Sequence, residues 1–142
     1  MQNYANHSRY VPLYHFVASF LILAATIGSF VNLSHAIAKG EGVYSASLIC
    51  VICIVLILLF WFARSFALKA QDRAIRAEEN FRHFILTGKP LDSRLRMSQI
   101  IALRFSSDDE LPALAQRAVG ENLPSKEIKQ AIKNWKADLY RA

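Results

Sequence analysis

Apolar and polar positions are segregated along this chain rather than interleaved. From Val11 to Ala38 there is no Asp, Glu, Lys or Arg, and from Gly42 to Ala63 there is none again. Between the two runs stands only Lys39-Gly40-Glu41-Gly42, a turn punctuated by two glycines. A hydrocarbon layer of roughly 30 Å needs ~20 apolar residues at helical rise. Both runs meet that length, over about 12–33 and 43–63. The second holds twelve Val, Ile, Leu or Phe residues between Val43 and Phe60. On an insertion scale they total about −4 to −7 kcal/mol, an upper bound because the values fall away from the midplane. The pattern predicts a transmembrane helical hairpin, because the remaining residues are too few to cover two such helices in a soluble core.

Beyond Arg64 the pattern changes period. Phe66, Ala70, Ala74, Ala77, Phe81 and Phe84 recur at three- and four-residue steps, and no Gly or Pro interrupts the chain between Gly42 and Gly88. The second spanning helix is therefore expected to continue as a stalk to about Leu86, stopped by Thr87-Gly88-Lys89-Pro90. Three shorter helices are expected after it. One covers about Arg96 to Arg104. The next begins near Leu111 behind Ser107-Asp108-Asp109-Glu110, which has capping-box spacing, and ends at Gly120. The last runs from Pro124 or Ser125 to about Tyr140, with Ile128, Ile132, Trp135 and Leu139 on one stripe. Their core is small, and it is expected to lean on the stalk around Phe81 and Phe84. The fold class is all-α, in three parts: a two-span hairpin (1–66), a helical stalk (67–88) and a small basic domain (89–142).

Charge sharpens this picture. The 142 residues carry a net +6, and 15 of the 17 Lys and Arg, with 10 of the 11 Asp and Glu, lie from Arg64 onward. Arg64, Lys69, Arg73 and Arg76 follow the second run directly, Arg9 precedes the first, and the intervening turn is neutral. The positive-inside rule then puts both termini in the cytoplasm. Tyr10, Tyr14 and Phe16 on one side, and Phe60, Trp61, Phe62 and Phe66 on the other, mark the same boundary. A cleaved leader ending at Ala36-Ile37-Ala38 is the competing reading of the first run. Its ~20 apolar residues exceed the roughly 7–15 of a signal core, so an uncleaved anchor is expected.

Candidate chemistry is sparse. Cys50 and Cys53 lie inside the second run, where no cation stabilises a thiolate, so with Ala46 they are read as a small packing face opposite Ala24, Ala25, Gly28 and Ser29 of the first run. His83 is the only histidine after the spans, and no nucleophile triad, paired carboxylates or metal-ligand spacing surrounds it. No enzyme activity, cofactor, metal or small-molecule substrate is inferred. The lysines of the last helix lack a base-reading cluster, so no nucleic acid is expected either. The lipid bilayer is the first partner, with a protein partner or self-association the next.

Three segments carry a resemblance. Ala67-Leu68-Lys69-Ala70-Gln71-Asp72-Arg73, then Ile101 through Leu114, and finally Ile128 through Trp135, resemble a family of small bacterial two-span membrane proteins of unknown function. The resemblance covers essentially the whole chain and implies a bacterial cytoplasmic membrane, without supplying an activity. One departure is the order Pro124-Ser125 where the family has Ser-Pro. Within these segments Asp72, Arg73, Arg104, Asp108 and Trp135 are candidates for fastening the domain, by an Arg104–Asp108 pair or contacts from the stalk, or for docking a partner. The function classes left are a membrane-anchored interaction module or accessory subunit, an organiser of anionic lipid, and a homo-oligomeric channel or transporter component.

Overall fold

The computed structural model describes residues 11–138. The expectations placed on Arg9, Tyr10, Leu139 and Tyr140 lie outside them. Among the described residues the protein is all-α, with five α-helices and no strand beyond a single bridge. The described residues divide into two compact units, 11–66 and 67–138.

The first unit is a pair of long apolar helices. A π-helical stretch, Leu13–Ala18, leads into α1, Ser19–Lys39. Gly40 ends it at φ 72°, with the amides of Gly40 and Glu41 donating to the carbonyls of Ile37 and Ala36. That left-handed cap is costly for any residue with a Cβ, and it returns the chain after three residues. Helix α2, Val43–Thr87, starts in this unit. Both helices are long and apolar enough to cross a membrane.

One face of each helix is withdrawn from solvent. On α1 it is Ile22, Thr26, Ser29 and Leu33; on α2 it is Ala46, Cys50 and Cys53. The cysteines thus lie inward, but Ala25 and Gly28 are exposed, and Ser29 occupies the buried place beside them. Small-residue spacing thus located the inward face of α2 and Ser29 on α1, but not the outward turn of Ala24, Ala25 and Gly28. On this face Ser29 donates to the Thr26 carbonyl at 2.7 Å and so needs no water. Thr26, Ser34 and Ser47 satisfy their hydroxyls on their own helix in the same way. At the open end Tyr14 stacks on Phe60, centroids 4.2 Å apart, and donates to the Phe60 carbonyl at 2.8 Å.

The second unit contains the rest of α2 and three short helices: α3, Met97–Leu103; α4, Leu111–Gly120; and α5, Ser125–Ala131. Gly88, at φ 71°, ends α2 and turns the chain into the loop toward α3. The core comprises Leu91, Leu95, Ile100, Leu103, Leu111, Leu114, Ala118 and Ile128, with Ile75 of α2 joining it. Gln99, fully buried, ties the helices together. Its amide nitrogen donates to the carbonyls of Ala118 and Leu123, and its oxygen accepts from the Arg96 amide.

Three expectations change here. The domain rests on the Ile75–Glu79–Arg82 face of α2, whereas Phe81 and Phe84 are exposed. Ser107 contributes its carbonyl, not its hydroxyl, to the start of α4. The last helix stops at Ala131, and Ile132 is extended.

Candidate docking surface of the C-terminal unit

The face of α2 that meets the short helices is built around Arg82. Glu79 one helical turn back and Ile75 two turns back lie on the same side. All three forks of its guanidinium are used: Nε donates to Asp108 at 2.6 Å, Nη2 to the Ser106 carbonyl at 2.7 Å, and Nη1 to Glu79 at 3.0 Å. The side chains of Arg82 and Glu79 are only 12% and 10% exposed, while Asp108 is 64% exposed. The hydrogen bond from Arg82, followed by its charge, holds the Asp108 carboxyl below the usual range. One planar cation thereby fixes α2 to the turn between α3 and α4, with directionality that a lysine could not supply.

That turn is also the seat of the C-terminal segment. Ser106 and Trp135 form an antiparallel bridge, and the Lys136 amide donates to the Phe105 carbonyl at 2.8 Å. Trp135 stacks on the buried Phe105 with centroids 4.6 Å apart. The Arg104 guanidinium lies 4.7 Å from the centroid of the same ring, and the Lys129 ammonium 5.6 Å away. Buried Arg104 pairs with Asp138 at 3.1 Å. Glu110 reaches the main-chain amides of Lys133 and Asn134 at 3.2 and 3.1 Å. Those amides would otherwise continue α5; the carboxylate takes them instead, and the helix ends.

The candidate residues therefore separate. Arg104 and Asp108, expected as a pair, take Asp138 and Arg82 instead. Trp135 belongs with Arg104 in the Phe105 cluster. Asp72 is half-buried on α2, and Arg73 is exposed. Arg82, Glu79, Phe105, Ser106 and Glu110 were not singled out from sequence. The signal for the first two was present: Ile75, Glu79 and Arg82 keep the four-then-three spacing of a buried face, with Ile75 an aliphatic residue among the alanines of the stalk.

An open cleft of about 500 Å³ lies between α2 and the C-terminal segment, lined by Gln71, Glu78, Glu79, Arg104, Lys136 and Asp138 among others. Its charges are mixed in sign, and Arg104, Asp138 and Glu79 are already joined to structural partners. The remaining resolved pairs are local. Asp92, lowered to about 2 chiefly by the hydrogen bond from Arg94, and Glu121, lowered by that from Arg117, lie at the surface. His83 meets the Lys89 carbonyl at 2.8 Å through Nδ1, bracing the end of α2. Among the described residues no cluster of His, Cys, Asp and Glu has the make-up to hold a metal. The polar groups that are well placed here hold elements together.

No curated protein and no solved structure matches the chain. Over residues 1–142 it belongs to the family of unknown function DUF6526.

Proposed function

We propose that the protein is a membrane-anchored interaction module, or accessory subunit, of a bacterial cytoplasmic membrane. In this reading α1 and the first half of α2 cross the bilayer, both termini are cytoplasmic, and the C-terminal unit is presented to a partner. The observation that carries it is the outward face of the two apolar helices. Phe20, Leu21, Leu23, Ile27, Ile52, Leu58 and Leu59 all stand exposed within the two stretches, 11–38 and 42–63, that bear no charge. A monomer in water rarely leaves so much contiguous apolar surface uncovered, whereas hydrocarbon accepts it at no cost. Hydroxyls satisfied on their own helix suit the same solvent.

The test has two arms. Reporter fusions behind Ala142 should be active only in the cytoplasm, and the chain should stay in the membrane pellet after an alkaline wash. A C-terminal reporter on the far side, or a chain recovered without detergent, overturns the anchoring. Crosslinking in native membranes should then capture a reproducible neighbour; a chain that captures none is not an interaction module.

A second reading draws on Lys69, Arg73 and Arg76, all exposed just past the apolar stretch. These cations suit anionic headgroups. Under it, the protein in vesicles would gather acidic lipid around itself, and the enrichment would fall steeply as salt rises.

A further inference from the structure

Helix α2 leaves the second unit with an apolar face that its own short helices do not cover. Ala67, Ala70, Ala74, Ala77, Phe81 and Phe84 are all exposed, the two phenylalanines by 65% and 50%. The steps between them alternate three and four residues, the a/d pattern of a helix seam. The domain rests on a different side, through Ile75, Glu79 and Arg82, and the seam's edges border open clefts beside it, Ala74 and Glu78 next to Lys136 and Asp138, and Arg73 and Ala77 next to Leu91 and Ser93. Ile85, also 65% exposed, widens the seam beside Phe84.

Charge says what fits there. In this register Arg73 flanks the seam at a g position, and Glu78, five residues on, flanks it at an e position. Both are exposed, and among the described residues neither has an ion-pair partner. In a parallel two-stranded coil, g of one helix meets e of the next heptad on the other. Arg73 of each copy would face Glu78 of its mate, twice over by symmetry. An antiparallel pairing instead sets Glu78 beside its own copy or Gln71, and Arg73 beside Asn80. The alanines let two backbones approach closely, and the phenylalanines close the end of the seam.

We infer that the protein self-associates as a parallel dimer through α2, along the seam Ala67–Ala70–Ala74–Ala77–Phe81–Phe84, with Arg73 paired to Glu78 of the second copy. The inference rests on the membrane reading, under which two chains inserted the same way present α2 in parallel and are confined near one another. The seam is about 27 Å long at helical rise, a short contact that tethering of both copies to one membrane strengthens.

The test is cysteine crosslinking of the full-length protein in native membranes, with Cys50 and Cys53 replaced by alanine. Under mild oxidation Ala70→Cys and Ala77→Cys should form a disulfide-linked dimer, while Lys69→Cys and Arg76→Cys, exposed on another side, should not. Equal crosslinking at all four positions, or none at the seam, overturns the proposal. Arg73→Glu added to Ala77→Cys should lower the dimer yield by about fivefold, and Arg73→Glu with Glu78→Arg should restore it. A double reversal that fails to rescue removes the parallel register. An alkaline wash of the same membranes reads anchoring separately: a chain released into the supernatant overturns the membrane reading, and seam-specific crosslinks on that released chain still support the dimer.

Discussion

Arg82 concentrates more of the second unit's organisation than any other side chain. Truncating it strands Glu79, nearly buried, beside Ile75, and removes the donors to Ser106 and Asp108. Arg82→Ala should destabilise the unit by about 2–4 kcal/mol, because the loss includes an uncompensated carboxylate. Thermal melting of the detergent-solubilised chain checks this; a shift under about 1 kcal/mol would mean that Glu79 finds water. Asp108 contributes differently because it is mostly exposed. Its folded pKa is depressed, chiefly by the hydrogen bond from Arg82, so its stabilisation is present above the unfolded value and lost as pH falls through the folded one. Asp108→Asn should therefore melt slightly below the parent near pH 6, by at most about 1 kcal/mol, with the gap closing below roughly pH 4. A gap that persists in acid would assign the effect to something other than the carboxylate charge. These partnerships were out of reach of sequence for a plain reason. Arg104 and Asp108 stand at helical spacing, but α3 ends at Leu103, before either of them. Once it turns, Arg104 points to Asp138 and Asp108 to Arg82.

At the scale of elements, the legible boundaries were those fixed by backbone chemistry. Helix α2 ends at Thr87 and α4 at Gly120, where Gly-Pro or Gly punctuation marks the stop. The last helix was misread because its periodicity continues past the point where its hydrogen bonds do. Ile132, Trp135 and the lysines keep helical spacing, yet Glu110 captures two amides and Trp135 is drawn flat onto Phe105. Tertiary competition of that kind leaves no mark in a local window. The docking face of α2 was misassigned for a related reason: the apolar stripe was the conspicuous one, but the domain chose the face where Arg82 could be satisfied on every fork. Glycines give a clean contrast between position and conformation. Gly28 and Gly88 both have nothing within 4 Å of where a Cβ would stand, but only Gly88 has a left-handed φ, of 71°. Gly88→Ala should cost about 1 kcal/mol of stability, whereas Gly28→Ala, inside α1, should be neutral or slightly stabilising. Equal effects in melting experiments would show that φ is not what selects glycine at residue 88.

For the molecule as a whole, the division at Arg64 is what composition made most legible, and the energetics of insertion turn it into a measurement. The apolar residues of α2 between Val43 and Phe60 total about −4 to −7 kcal/mol on the insertion scale, and one arginine at mid-helix opposes that by about +2.5 to +3.5 kcal/mol. A single Leu56→Arg should still insert, since the balance stays favourable. Ile52→Arg added to it raises the opposing sum to about +5 to +7 kcal/mol, which brings the segment to the edge of insertion. Both positions are exposed, so neither substitution damages the packing of Cys50 and Cys53 against the facing helix. The single variant should remain in the washed membrane pellet, and the double variant should leave it or be degraded. The same arginines distinguish the solvent. If this surface met water, two exposed apolar side chains exchanged for arginine would raise recovery in the soluble fraction of an already soluble parent and spare the fold. Phe81→Arg, on the exposed face beyond the apolar run, should leave pelleting unchanged, because the depth of a charge, and not its presence, decides whether hydrocarbon rejects it.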